Sequence, residues 1–235
     1  MKILILCAYY DRPNMIRRAL ESIKMQQHQD WELAFCDDGS LVPGEPIVRE
    51  IFGDDPRIIY YNTHDSVEQK YAQGGSRHGM MLNEAMIKSK ADICIILCDD
   101  DALYPGYLAG LSDFYEKYPE INYSYGHVSV YDPLNFPGWD RLVDNYDNFI
   151  NDHVGPINPV CQVDASQVSW RRKAGLYNGV LFPAPLTAAL DAAVYGRMFQ
   201  VFGPCVFNML TTQYKGIFWG QMGNRGDLFT AKDSE

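Results

Sequence analysis

Four short apolar runs, at 3–8, 31–36, 57–61 and 92–97, are separated from one another by stretches with helical spacing. A run such as ILILCA or ICIIL has no polar alternation, so as a strand it must be covered on both faces, the situation of a parallel sheet sandwiched by helices. The intervening segments supply the helices. Pro13 opens one over 13–25, with Ile16, Ala19, Leu20 and Ile23 on one face. A short one is expected over 47–52, and a third from Gly74-Gly75-Ser76 to about Ser89, with Ser76 as its N-cap. Strands joined by crossover helices give a mainly parallel sheet with right-handed connections, so the fold class is α/β with helices on both faces.

The second half reads as a helix near 107–118, strands near 123–131 and over 163–170, and a helix over 188–202. Residues 132–159 are rich in Pro, Gly, Asn and aromatics and are too long for a mere connector, which marks a substrate-facing loop. Trp139 and His153 within it are candidate acceptor contacts. The Gly-punctuated tail from Tyr214 is expected to fold over a site, where Lys215 and Arg225 would either clasp a diphosphate or remain solvated charges. At 235 residues, a single domain over 1–235 is expected.

In an open parallel sheet, ligands bind beyond the carboxyl ends of the strands. Two acidic clusters fall there: Asp37-Asp38-Gly39-Ser40 after the second run, and Asp99-Asp100-Asp101 after the fourth. Each alone is compatible with a solvated turn. Three adjacent carboxylates, however, repel one another unless a positive partner is present. A hard divalent cation, Mg²⁺ or Mn²⁺, supplies one and characteristically shares its shell with phosphate oxygens. Gly74 and Gly75 would let backbone approach an anion at the start of a helix, with Arg77 offering a fork for its oxygens; a plain turn is the alternative. Asp38 would accept the N3–H of a uracil or thymine ring, with Tyr9 or Tyr10 as the stacking surface, while Asp37 would cap the turn.

The net charge of −10, with no basic run longer than Arg171-Arg172-Lys173, argues against stable nucleic-acid or anionic-membrane binding. The apolar N-terminal stretch is too short for a signal segment, and no later run reaches about 18 apolar residues, so the expectation is a soluble, cytoplasmic chain. The six cysteines lack C-x-x-C spacing, and most lie in apolar runs, as buried free thiols do.

The segments AYYDRPNMIRRALESIKMQQ (8–27), WELAFCDDGS (31–40), GGSRHGMMLNEAM (74–86) and LCDDDALYPGYL (97–108) together resemble the inverting family 2 glycosyltransferases of the GT-A fold, including their spore-coat polysaccharide relatives. The resemblance covers about the first 110 residues. It implies a nucleotide-diphospho-sugar donor, UDP-sugar favoured, bound by a nucleotide half over 1–110. Ala8, Tyr10, Arg12, Asp38, Arg77, Asp99 and Asp100 would contact the nucleotide, and Asp100 and Asp101 the metal. Cys98 stands where the family carries its first metal-site acid. More loosely, 161–172 resembles the strand beneath the acceptor, with Asp164 near the reaction centre. Residues 189–200 resemble the helix that carries the catalytic base, here Asp191. The acceptor half would be 111–235 and the acceptor a hydroxyl, in keeping with a saccharide. A non-catalytic nucleotide-sugar or carbohydrate-binding module is the alternative. A sugar nucleotidyltransferase lacks its Gly-rich signature here, and a haloacid dehalogenase would need an aspartate where Cys36 stands.

Overall fold

The four apolar runs become strands β1 (Ile3–Tyr9), β2 (Trp31–Asp37), β3 (Ile58–Asn62) and β4 (Ile93–Cys98). The computed structural model describes residues 1–72, 74, 78–131, 155–160, 162–183 and 190–216. Helices α1 (Pro13–Lys24), α2 (Glu45–Phe52), α3 (Val67–Ala72) and α4 (His78–Lys88) lie between these strands. There follow β5 (Asp101–Leu103), α5 (Tyr107–Lys117), β6 (Tyr123–Tyr131), β7 (Val168–Arg171), α6 (Arg172–Tyr177), α7 (Leu190–Phe202) and β8 (Val206–Gly216).

The eight strands of the described residues form one sheet in the order β3-β2-β1-β4-β7-β6-β8-β5. The first four run parallel, while β7 is antiparallel to both β4 and β6, and β8 is parallel to β6 and antiparallel to β5. Register then aligns the strand ends. Tyr9 lies opposite Asp37, Asp37 opposite Asn62, and Ala8 opposite Cys98. One edge of the sheet therefore collects the residues that follow β1, β2, β3 and β4.

Alternation along the buried strands divides the core in two. Ile3, Ile5, Cys7, Leu33, Phe35, Ile93, Ile95 and Leu97 face Ile16, Leu20, Ile23 and Val48 of α1 and α2 and Leu108 and Leu111 of α5. Leu4, Leu6, Ala34, Cys94 and Ile96 face Leu82 and Met86 of α4, Val194 and Met198 of α7, and Trp170. The two-sided cover is what the unbroken apolar runs demanded.

Two elements depart from the sequence expectation, the strand expected over 163–170 and the segment from Tyr214. The described part of helix α4 begins at His78, preceded by Gly74 with a left-handed φ of 82°; Ser76, expected as its N-cap, lies outside the described residues. The strand expected over 163–170 begins only at Val168. Asp164 closes a capping box with Gln167 and turns Ala165–Gln167 into a 3₁₀ turn. The basic triplet at 171–173 enters α6, where the buried Arg172 donates from Nε to the Ala91 carbonyl at 2.6 Å and from Nη1 to Met86 at 3.0 Å, closing the end of α4. Tyr214 and Lys215 belong to β8, not to a free tail, because β6 and β5 pair with it on its two sides.

Candidate functional site

The turn after β1 is built by strain and two tethers. Asp11 adopts a left-handed φ of 47°, uncommon outside glycine but accessible to aspartate. Its backbone N–H donates to Ser40 Oγ at 3.1 Å, and its Oδ1 accepts from Val42 N at 2.9 Å. The turn is thereby fastened to the loop after β2, with Tyr10 and Arg12 flanking Asp11 in the chain.

Arg12 reaches the aspartate run. Its Nη1 lies 2.9 Å from Asp99 Oδ1 and 3.1 Å from Asp100 Oδ2, and Asp99 Oδ2 also accepts from Tyr10 N at 3.2 Å. Part of the positive charge that three neighbouring carboxylates require is therefore supplied by the chain itself. Burial raises the Asp99 pKa to about 6; Arg12 opposes the rise and Asp100 adds to it. Burial would lower the Arg12 pKa, but the two aspartates reverse that and raise it.

The loop after β2 is held by Asp37, which is fully buried. Its Oδ1 accepts from Ser40 N at 2.9 Å, and its Oδ2 from Gly44 N at 3.0 Å and the Tyr60 hydroxyl at 2.7 Å. Gly39 follows with φ 67°, and a Cβ there would stand 2.3 Å from the Asp65 carbonyl, so only glycine lets this loop lie against the one after β3. A groove of about 460 Å³ opens beside Gly39, lined also by Ser40, Tyr60, Asn62, His64 and Asp65.

Asp38 is thereby left for other partners. Its side chain is 8% exposed, with Oδ2 3.3 Å from Lys70 Nζ and Oδ1 3.4 Å from Thr63 Oγ1. The Lys70 ammonium also lies 3.9 Å from the centroid of the Tyr10 ring. His78, at the start of α4, has its pKa lowered chiefly by burial and also by Lys70, against an upward pull from Asp38, and so stays neutral at pH 7.

Cys98 Sγ and carboxylate oxygens of Asp100 and Asp101 lie within 4.8 Å of one another. Asp99 is outside this group. Two carboxylates that leave room for phosphate oxygens fit Mn²⁺ or Mg²⁺, and the sulfur, a soft donor, suits Mn²⁺ better than Mg²⁺. Asp101 heads β5, and Lys215 is its partner in β8.

The other residues singled out in the sequence fall as follows. Ala8, in β1, pairs with Cys36 and Cys98. Tyr9 is not a stacking surface: it is 1% exposed, packs on Phe35, and its hydroxyl donates to the Val42 carbonyl at 2.8 Å. Asp164 accepts from Ser166 N at 3.2 Å as the cap of its 3₁₀ turn. Asp191 is the second residue of α7. Arg77, Trp139, His153, Cys161 and Arg225 lie outside the described residues. Among the described cysteines none is in a disulfide; Cys7, Cys36, Cys94 and Cys205 are buried, and Cys98 is half-buried. Lys70 and His78 were not expected at the site. Lys70 lies in α3, an element with no sequence signal, and a lone histidine carries none. Among the described residues, no helix is long and apolar enough to cross a membrane.

Comparison with known proteins converges on one family. The glycosyl transferase family 2 model matches residues 4–174. Protein CgeD of Bacillus subtilis (strain 168) is 28% identical over 131 residues, 55% of this chain and 30% of that protein. The GalNAc(5)-diNAcBac-PP-undecaprenol beta-1,3-glucosyltransferase of Campylobacter jejuni is 27% identical over 127 residues, 54% of this chain and 37% of that protein. The matched segments thus span about a third of each relative. Among solved structures, S. aureus TarS 1–349 in complex with UDP-GlcNAc superposes with a TM-score of 0.68 at 14% identity, covering 94% of this chain and 60% of that one. The mannosyltransferase PcManGT from Pyrobaculum calidifontis, in complex with GDP-Man and Mn²⁺, gives a TM-score of 0.62 at 13% identity, covering 94% of this chain and 58% of that one.

Proposed function

Because the chain belongs to glycosyl transferase family 2, we propose that it moves a sugar from a nucleotide diphosphate donor, a UDP-sugar being favoured, to a hydroxyl of a saccharide acceptor with inversion at the anomeric carbon. The observation that carries this reading is the convergence, on one sheet edge, of Tyr10, Asp38 and the Cys98–Asp101 run from the ends of β1, β2 and β4. An aromatic face, a buried acceptor and a cation-binding set are what a base, its ring N–H and a diphosphate need in turn. The names of the similar proteins agree, since one is a glucosyltransferase and two structures hold UDP-GlcNAc or GDP-Man.

In this reading Tyr10 offers its face to the base and Asp38 accepts the ring N–H. Arg12 pairs with Asp99 and Asp100 and aligns them, and Asp100 and Asp101 would hold Mn²⁺ or Mg²⁺. When bound, the ion offsets the charge that develops on the departing diphosphate. Asp191 takes the proton of the acceptor hydroxyl as its oxygen bonds to the anomeric carbon and the bond to the diphosphate breaks.

The test has two arms. Calorimetric titration with UDP should show binding that strengthens with Mn²⁺ and that falls in Asp100→Ala and Asp101→Ala. Donor hydrolysis or transfer should drop by roughly 10²- to 10⁴-fold in Asp191→Asn with UDP affinity retained. UDP binding indifferent to Mn²⁺ would remove the ion from the scheme, and near-normal turnover in Asp191→Asn would remove the base.

A further inference from the structure

We propose that Lys70 is a specificity-determining residue that, together with Asp38, selects donor bases presenting a ring N–H beside a carbonyl; the inference rests on the nucleotide reading of this site. Lysine is almost never buried without a partner. Lys70 is 12% exposed in its side chain and has two partners from different strand ends, Asp38 Oδ2 at 3.3 Å after β2 and the face of Tyr10 at 3.9 Å after β1. Helix α3, inserted between β3 and α4, is what brings it there.

The pair has a defined polarity. An ionised aspartate only accepts hydrogen bonds, and an ammonium only donates them. Held 3.3 Å apart, they present an acceptor next to a donor. The complementary ring edge carries a donor next to an acceptor. Uracil offers N3–H beside O4, and guanine offers N1–H beside O6. Cytosine and adenine carry the reverse pattern, a ring nitrogen lone pair beside an amino group, which sets lone pair against carboxylate and amino protons against ammonium.

The ammonium stands in the layer that a base stacked on Tyr10 would take. Its four-carbon stem is flexible, so it can slide from the ring face to the rim of the entering base while staying on Asp38. A site built to bond a substrate group rejects an analogue that leaves that site's polar groups unpaired, here by roughly 10- to 100-fold.

The experiment is a calorimetric titration of the full chain with UDP, GDP, CDP and ADP in Mn²⁺, for the wild type, Lys70→Met and Lys70→Gln, with thermal unfolding as the folding control. The wild type should bind UDP, GDP or both at least about tenfold tighter than CDP and ADP, and the UDP and GDP arms identify which base is taken. Lys70→Met should weaken the preferred nucleotide and narrow its advantage over CDP by about tenfold, with a smaller loss in Lys70→Gln, which keeps a neutral donor. An unchanged ratio, or tighter UDP binding in Lys70→Met, would overturn the proposal, the latter making Lys70 an obstruction and not a reader. Asp38→Asn separates the two levels. If that variant or the wild type shows no Asp38-dependent nucleotide binding, the site reading itself falls; if Asp38 matters and the ratio ignores Lys70, only the present inference does.

Discussion

Replacing Arg12 by methionine removes a guanidinium that lies within 3.1 Å of both Asp99 and Asp100 while keeping much of the apolar stem. The carboxylates are each 9% exposed in their side chains, so water cannot take over the lost pairing. Breaking one side of such a buried pair typically costs about 3–5 kcal/mol. For a chain of this size each 1 kcal/mol moves Tm by roughly 2–4 °C, giving a drop on the order of 6–20 °C. The pH dependence has a sign that can be worked out. The Asp99 pKa of about 6 lies above its unfolded reference, so the native state holds the proton longer, and stability falls as pH rises through that window. Arg12 opposes the rise in that pKa, so its removal extends the window upward. Melting in EDTA should therefore show a small deficit for Arg12→Met at pH 5 and the full deficit at pH 8. With saturating Mn²⁺ at pH 8, the variant should recover more than the wild type gains, because an ion at Asp100 replaces the missing charge; about 2.7 kcal/mol is available at a hundredfold excess over Kd. A deficit below about 1 kcal/mol, or one equal at pH 5 and pH 8, would refute the claim that the guanidinium supplies part of the charge that the aspartate run requires.

Asp37→Ala takes away the acceptor for Ser40 N, Gly44 N and the Tyr60 hydroxyl, and urea unfolding should report a loss of about 2–5 kcal/mol. Nucleotide affinity should fall with it, since the same loop carries Asp38, and an unchanged midpoint would show that the loop is held by other means. Cys98→Asp exchanges sulfur for a third hard oxygen donor. Titration should then find the Mn²⁺-to-Mg²⁺ affinity ratio reduced several-fold, and an unchanged ratio would place the thiol outside the coordination shell.

The elements readable in the sequence are those whose signal is repeated along the chain. Ile3, Ile5 and Cys7 against Leu4 and Leu6, and the spacing of Ile16, Leu20 and Ile23, encode a two-faced strand and an amphipathic helix without reference to anything distant. Segments too short to show a period were not legible. Three residues of β5 and six of α3 carry no repeat that can be counted, and the start of β7 was displaced by a local competitor, the capping box of Asp164. The candidate site divides in the same way. The acidic clusters at strand ends announced the edge of the sheet, whereas Tyr9 and Tyr10, adjacent in the chain, took opposite fates: Tyr9 points into the core with its strand, and Tyr10 has already left it.

The sequence by itself settled that buried strands alternate with helices and that carboxylates gather beyond the strand ends, because periodicity and strand polarity are properties of consecutive residues. Only the folded chain decided which charges neutralise which. Arg12 meets Asp99 and Asp100 across 87 and 88 positions, and Lys70 meets Asp38 through a helix with no periodic mark. Pairings of that kind depend on the order of strands in the sheet and on the path of the loops between them. Coulomb attraction and desolvation act through space, and nothing in the spacing of residues along the chain records the distance that results.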